Sequence, residues 1–343
     1  MKKIKRVICV IVSCILCLTV MGACQTKEKP SGAPKQEDGG KAQSGGADYP
    51  KYSIQVIVPL GSGGDTDLCA RLFATYLEKE LGVSVVVNNI KGAAGVTGSR
   101  EVMNAEADGY TVLFYQYAGL VNMVTGAADF SYIDDFEIAG IAMEDNCYIW
   151  LGNAKAGYED LNDVIEDARA NPGKVNIALS GTGNMSQLSA AVLETLADVD
   201  FNLVDFGSAT EDAAALLSNQ VAMYASYYVA TKSYLESGDF LPLAVFADER
   251  HPLFPEVPTM KEMGYDTDFL NTKFYYYAFP KGTPQEIVTA FSDAMKRVCE
   301  KEEAQKKFYD DYYITLKYQN PEESITYMKS VYEEFNQYRD IFH

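Results

Sequence analysis

The chain has 343 residues and a formal net charge of −19 at pH 7, with 48 acidic residues against 29 lysines and arginines. So acidic a chain is repelled by the phosphates of nucleic acids and by anionic lipid surfaces, and we exclude both as binding partners. The length exceeds that of one ordinary domain and indicates two lobes.

The N-terminus has the pattern of an export signal. Four cationic residues lie among the first six, and an almost wholly apolar run follows over residues 7–20. That run is short for a membrane-spanning helix and typical of the core of a secretory signal. It leads into Met21-Gly22-Ala23-Cys24, which resembles the bacterial lipobox, whose cysteine is acylated and becomes the first residue of the mature protein.

We therefore predict a lipoprotein signal peptide over residues 1–23 and lipidation of Cys24. A plain signal peptide with a cysteine near its cleavage site is the alternative. Residues 24–48 nearly lack apolar side chains and cannot offset the entropy lost on ordering, so they are predicted to be a flexible tether. The protein is then extracytoplasmic and bound to the cell membrane through its lipid anchor alone.

The folded part is predicted to begin at Tyr49 and to alternate strands with helices. The first strand is predicted at Ile54–Val58, and the glycine-rich loop after it leads into a helix that ends at Gly82. Further strands are predicted at residues 83–88, 110–115, 175–179 and 201–204, and helices at residues 161–170, 186–196 and 211–218. This alternation indicates parallel sheets, whose C-terminal loops are available to a ligand.

Three loops that contain glycine precede helix N-termini, at residues 61–65, 180–184 and 205–209. A helix N-terminus exposes unpaired N–H groups and the positive end of the peptide dipole, and glycine lets the backbone approach an anion closely. A carboxylate can thus be held by amides and by hydroxyls such as those of Ser62, Ser180 and Thr182, although the protein is acidic.

Neither a cofactor nor a metal is predicted. The loop at residues 92–98 has G-x-x-G-x-x-G spacing, which differs from a dinucleotide fingerprint. Cys69, Cys147 and Cys299 are the cysteines of the folded part, and an odd number without C-x-x-C spacing favours buried thiols over a disulfide framework or a zinc site.

Many short motifs occur in the order that is typical of one receptor family. The first is IVPLGSGGDTDLCAR at residues 57–71, where the family pattern is I-V-P-x-x-P-G-G-x-x-D-x-x-A-R. The later ones are VVVNN (85–89) with GAAG (92–95), ADGYT (107–111), NPGK (171–174), SGTG (180–183), LLSNQV (216–221), FPEVPT (254–259) and PKGTP (280–284). Over nearly the whole folded part the sequence therefore resembles the substrate-binding receptors of tripartite tricarboxylate transporters, the Bug (TctC-like) family.

The resemblance implies a bilobed α/β fold, periplasmic-binding-protein-like (type II-like), with two parallel or mixed-sheet lobes joined by a hinge. Residues 49–150 and 273–343 would form lobe 1, and residues 151–272 would form lobe 2. The implied function is that of a monomeric solute-binding protein, which captures a small carboxylate and hands it to a two-component membrane permease.

The family's cleft loops map onto residues 60–67, 180–184 and 204–209 of this chain. The residues expected to bind the ligand are Ser62, Gly63, Gly64, Asp67, Tyr115, Ser180, Thr182, Gly183, Asn184, Phe206, Ser208 and Ala209. Asp67 either accepts a hydrogen bond from the ligand or supports the first turn of its helix, and Arg71 is expected to pair with a nearby acid. The side chains of Tyr275, Tyr276 and Tyr277 are expected to alternate across a strand.

The chain departs from the family pattern at the cleft. Ser62 replaces a proline, Asn184 and Gln187 replace a serine and a histidine, and VDFGS at residues 204–208 replaces V-P-Y-K-G. The loss of a lysine and the gain of an acid argue against a multiply charged tricarboxylate. A monocarboxylate, an amino-acid-like ligand and an aromatic acid stacked on Tyr or Phe are the alternatives.

The sequence leaves two other functions as alternatives. Catalysis by a serine or cysteine nucleophile needs a base, and the sequence holds just two histidines, His251 and His343, with no G-x-S-x-G elbow. We therefore predict no enzymatic activity, and an exported hydrolase is the disfavoured reading. A receptor that feeds a sensor kinase in place of a permease is the other alternative. Capture is expected to close the lobes about crossovers near Trp150 and Phe274.

Overall fold

The structure is a computed structural model that describes residues 49–342, apart from residues 182, 268–269 and 272. The predicted signal peptide, the tether and the lipidation site at Cys24 lie outside the described residues. Within the described ranges, no helix is both long and apolar enough to cross a membrane.

The first sheet has six strands and mixed pairing. Its strands are β1 (Ile54–Val58), β2 (Val85–Asn89), β3 (Thr111–Gln116), β4 (Phe136–Asp145), β10 (Lys273–Pro280) and β11 (Thr315–Gln319). Their order across the sheet is β11–β4–β10–β3–β1–β2. Strand β1 runs parallel to β2 and β3, whereas β10 is antiparallel to β3 and β4. This sheet and its helices are called lobe 1.

The helices of lobe 1 come from both ends of the described chain. They are α1 (Asp65–Leu81), α2 (Val96–Met103), α3 (Ala118–Val124), α8 (Gln285–Cys299), α9 (Glu302–Tyr312) and α10 (Pro321–Asn336). Helix α1 ends as predicted at Gly82, whose φ of 70° is left-handed and whose N–H donates to the Glu78 carbonyl.

The second sheet has five strands and is called lobe 2 together with its helices. The strands are β5 (Tyr148–Asn153), β6 (Asn176–Leu179), β7 (Asn202–Asp205), β8 (Met223–Tyr227) and β9 (Phe240–Phe246), in the order β7–β6–β8–β5–β9. Its helices are α4 (Leu161–Ala170), α5 (Met185–Ala197), α6 (Ala209–Leu217) and α7 (Tyr228–Ser237). Strand β6 is parallel to β7 and β8, and β5 is antiparallel to β8 and β9.

The predicted bilobed α/β fold with mixed sheets is confirmed by this architecture. The chain passes between the sheets twice, from β4 to β5 and again from β9 to β10. The predicted lobe boundaries at residues 150/151 and 272/273 stay predictions, although the first passage between sheets falls between Asp145 and Tyr148.

Strand β10 is rich in aromatic residues because its side chains are packed in the core on both faces of the sheet. Tyr275 and Tyr277 pack in lobe 1 against Phe114, at ring-centroid distances of 5.6 and 4.7 Å, while Tyr276 belongs to the neighbouring cluster around Tyr115. The predicted alternation across the strand is therefore confirmed. All three cysteines of the folded part are buried and unpaired thiols, as predicted.

Candidate functional site

A cavity of about 1160 Å³ lies between the two sheets, at the C-terminal ends of their parallel strands. Lobe 1 lines it with the loops that follow β1, β2 and β3, and lobe 2 lines it with the loops that follow β6, β7 and β8. Ligands of α/β proteins bind at this edge because loop amides and helix N-termini converge there. The cavity is therefore the candidate ligand site.

Most of the twelve predicted ligand-binding residues line this cavity. They are Ser62, Gly63, Gly64, Tyr115, Ser180, Asn184, Ser208 and Ala209. Asp67, Gly183 and Phe206 do not line it, and Thr182 lies outside the described residues. That any of them contacts a ligand stays a prediction.

Asp67 lies behind the first loop and supports it. Its buried carboxylate accepts hydrogen bonds from the Gly63 N–H at 2.8 Å and from Arg71 Nε at 3.1 Å. Burial raises the pKa of Asp67, but the hydrogen bonds from Arg71 and Gly63 outweigh it and hold the pKa below its usual value. Arg71 thus pairs with a nearby acid, as predicted, and it also donates to Asn89, whose amide holds the Leu60 carbonyl.

The N-terminus of α1 faces the cavity without a side-chain cap. Its N-cap residue is Gly64 in extended backbone, and Gly63 before it has a φ of 81°, a left-handed conformation that suits glycine. Because the first N–H groups of a helix have no intrahelical partner, this end of α1 offers donors and a positive partial charge to an anion.

The two loops of lobe 2 are capped by their own side chains. Asn184 accepts from the N–H groups of Ser186 and Gln187 at the start of α5, and the Gly183 N–H donates to Gln187 Oε1 at 2.6 Å. Ser208 caps α6 by accepting from the Glu211 N–H. The amides of Gly183, Ser186, Gln187 and Glu211 are thus engaged within lobe 2 and are not free to bind a ligand. That the other amides of these loops bind a ligand stays a prediction.

Ser180 is likewise occupied. Its N–H donates to Ser186 Oγ at 2.9 Å, and its hydroxyl donates to the carboxylate of Asp212. Burial raises the pKa of Asp212 to about 7, against the opposing effect of the Ser180 hydrogen bond. Asp212 is thus a buried acid that holds Ser180 in place below the cavity wall.

Tyr115 supports a fourth loop, at residues 92–95, which the sequence alone does not assign to the site. Its hydroxyl donates to the Ala94 carbonyl at 2.7 Å, and the Asn122 amide donates to the same oxygen at 2.9 Å. A Cβ on Gly95 would lie 2.4 Å from Tyr115 Oη, and Gly95 has a φ of 95°, so this close approach requires glycine.

The charged pair of Lys273 and Asp65 also lines the cavity and was missed from the sequence. The Lys273 ammonium forms an ion pair with Asp65 at the first turn of α1. It lies 4.0 Å from the ring centroid of Tyr227 and 4.6 Å from that of Tyr275. Burial lowers the pKa of Lys273, and the carboxylate partner acts in the opposite direction. The sequence signal that points to this pair is a single lysine at the start of an aromatic strand.

Tyrosines from both lobes form the wall beside Lys273. The hydroxyls of Tyr117 in lobe 1 and Tyr227 in lobe 2 share a hydrogen bond of 2.5 Å. Tyr148 stacks on Tyr227 with a centroid distance of 4.5 Å, and burial raises the pKa of all three phenols. These rings give the cavity an apolar wall with hydroxyl groups at the contact between the lobes.

Comparison with known sequences decides the family. The family described as the tripartite tricarboxylate transporter family receptor (TctC) matches residues 69–342. This chain belongs to that receptor family. The receptor is 30% identical over 243 residues to Protein BugT of Bordetella pertussis, and the match covers 70% of the receptor and 74% of BugT.

Solved structures agree with the fold of the receptor. A structure described as a periplasmic transporter has 27% sequence identity and a TM-score of 0.78, and the match covers 84% of the receptor and 96% of that chain. MatC (Rpa3494) from Rhodopseudomonas palustris with bound malate has 24% sequence identity and a TM-score of 0.75, and the match covers 86% of the receptor and 100% of MatC. The family match confirms the predicted family, and the receptor is an extracytoplasmic solute-binding protein.

Proposed function

We propose that the receptor is a lipoprotein that captures a small carboxylate in the cavity between its lobes and delivers it to the two membrane subunits of a tripartite transporter. The observation that carries this proposal is the meeting of the uncapped α1 N-terminus and the buried Lys273 ammonium on one cavity wall. The helix end favours an anion through its N–H groups and partial positive charge, and the ammonium offers N–H donors beyond the one that Asp65 accepts, inside a protein that is acidic overall. The malate in MatC, a protein of the same fold, supports a carboxylate ligand.

Capture in this proposal requires no chemistry on the ligand. Lobe 1 supplies the positive groups, lobe 2 closes over the ligand, and the two crossovers between the sheets act as the hinge. His251, the histidine among the described residues, does not line the cavity, and its ring lies 4.4 Å from that of Tyr313. Burial lowers the pKa of His251 to about 4, which makes it a poor general base.

A thermal-shift screen tests the proposal. Purified full-length receptor in detergent is heated with monocarboxylates, dicarboxylates, tricarboxylates, aromatic acids and amino acids, with sugars and quaternary ammonium compounds as controls. A ligand at 100 times its Kd should add about 2.7 kcal/mol to the free energy of unfolding. The proposal expects stabilisation by at least one carboxylate. Stabilisation by sugars or cations alone would overturn it.

The lipid anchor is tested by replacing Cys24 with alanine. The variant should leave the membrane fraction and should no longer incorporate labelled palmitate, because it lacks the thiol that we propose is acylated. Cys17→Ala is the matched control, since that cysteine lies within the predicted signal peptide and should not affect anchoring. Membrane retention of the Cys24→Ala protein after signal cleavage would contradict the lipid anchor.

A further inference from the structure

Two side chains on the cavity wall form an ion pair with no net charge. The Lys273 ammonium contacts Asp65 Oδ2, and the Tyr275 hydroxyl donates to the same oxygen at 3.2 Å. The lysine side chain is 1% exposed and the aspartate side chain is 21% exposed. Removing an ammonium group from water costs several kcal/mol, so Lys273 depends on this carboxylate.

The ammonium keeps donor capacity beyond the Asp65 contact. A lysine has three N–H donors, and among the described residues its hydrogen bond goes to Asp65. Its other close neighbours are the ring faces of Tyr227 and Tyr275. A ring face attracts the charge, but a carboxylate oxygen accepts a stronger, charge-assisted hydrogen bond. A ligand carboxylate in the cavity can therefore share the ammonium with Asp65.

We infer that Lys273 binds the ligand carboxylate and that Asp65 limits how much negative charge the cavity accepts. This inference rests on the proposed carboxylate function. One carboxylate can lie between the ammonium, which has donors left over, and the α1 N-terminus, whose partial positive charge offsets part of its negative charge. A second carboxylate close by meets the Asp65 carboxylate and is repelled. Lys91, another lysine on the cavity wall, is exposed and screened by water, so it offsets little of that repulsion.

The position of Lys273 also links ligand binding to the contact between lobes. The ammonium belongs to β10 of lobe 1, yet one of its two ring contacts is Tyr227 at the end of β8 in lobe 2. A carboxylate on Lys273 is therefore in reach of both lobes at once. The Lys273–Asp65 pair therefore lies at the contact between the lobes, where closure of the lobes would change its surroundings.

The test is calorimetric titration of the full-length receptor with benzoate, butyrate, succinate and citrate. Lys273→Met should weaken the tightest of these by about 10- to 100-fold, the loss expected for one charge-assisted hydrogen bond. Asp65→Asn should strengthen binding, and the gain should rise from the monocarboxylates to citrate. Lys329→Met is the matched control, an exposed lysine of α10 in the same lobe that does not line the cavity, and it should change affinity less than about threefold.

A double variant separates binding from stability. Lys273→Met alone leaves Asp65 without its cation, whereas Asp65→Asn with Lys273→Met removes both charges. The double variant should regain thermal stability and still fail to bind carboxylates, which a purely structural ion pair would not do. Unchanged affinity in Lys273→Met, or recovery of binding in the double variant, would overturn the inference while leaving the carboxylate function intact. Wild-type receptor that binds none of the carboxylates would overturn both.

Discussion

Replacing Asp145 with asparagine should make the receptor more stable at pH 8, by on the order of 3 kcal/mol. Asp145 is the last residue of β4 and is completely buried. Its Oδ1 accepts from the Cys147 N–H at 3.1 Å, and no described residue donates to Oδ2. Lys273 is its register partner across β4 and β10, but that ammonium pairs with Asp65. Asp145 is thus a buried acid with no cation of its own among the described residues.

The pH dependence follows from the direction of its pKa shift. Burial raises the pKa of Asp145 to about 8, against the lowering effect of the Cys147 hydrogen bond, whereas the unfolded chain titrates near 3.9. Between these values the folded protein holds a proton that the unfolded chain has released. The stabilisation is therefore complete below about pH 4 and is lost as pH rises towards 8, by up to about 1.4 kcal/mol per pH unit.

Chemical denaturation at several pH values between 4 and 8 measures this effect. Asp145→Asn keeps the acceptor for the Cys147 amide and removes the titration, so its stability should vary less with pH than that of the wild type. The gain in the free energy of unfolding is smaller than the full effect of the pKa shift, because the new amide is itself buried. Asp134→Asn, an exposed acid in the same lobe, is the control and should shift stability by less than about 0.5 kcal/mol. Equal pH slopes in Asp145→Asn and wild type would refute the argument.

Replacing Asp67 with alanine should destabilise the receptor by about 2 to 3 kcal/mol and weaken ligand binding. The buried carboxylate joins Gly63 of the first loop to Arg71, and Arg71 continues through Asn89 to the Leu60 carbonyl. Its loss leaves the Gly63 amide unpaired and frees the loop that precedes α1. Binding should fall because the α1 N-terminus then has to be ordered by the ligand itself.

Denaturation and titration together check this prediction. Asp67→Asn keeps an acceptor for Gly63 but loses the charge that pairs with Arg71, so it should fall between wild type and alanine in both measurements. Asp129→Ala removes a surface partner of Arg100 and should cost less than about 1 kcal/mol. If Asp67→Ala binds carboxylate as tightly as wild type, the first loop does not depend on Asp67.

The fold was predictable because its signals are local. The β-branched run of β1, the glycine stop at Gly82 and the bounds of α4 follow from residue spacing and cap chemistry. The cavity loops were predictable as well, because the C-terminal ends of parallel strands converge at one edge of a sheet. Because the separate motifs occur in the order typical of the receptor family, they also indicated a single bilobed chain.

The electrostatics of the site were not predictable from the same signals. Asp65 and Lys273 lie 208 residues apart in sequence, and each looks ordinary in its own segment. The VDFGS segment shows the loss of a lysine, but a cation supplied from β10 depends on the pairing of strands that are distant in sequence. The hydrogen bonds at the start of α5 in lobe 2 were easier to predict, since Asn184 and Gln187 have the spacing of a helix cap.

The most direct test of the account is a structure of the receptor with the carboxylate that stabilises it most in the thermal-shift screen. We expect one carboxylate group about 2.7–2.9 Å from the Lys273 ammonium and within hydrogen-bond reach of the α1 N-terminus. A carboxylate bound elsewhere, for example in the open 520 Å³ cavity of lobe 2 between Lys155 and Lys174, would contradict it.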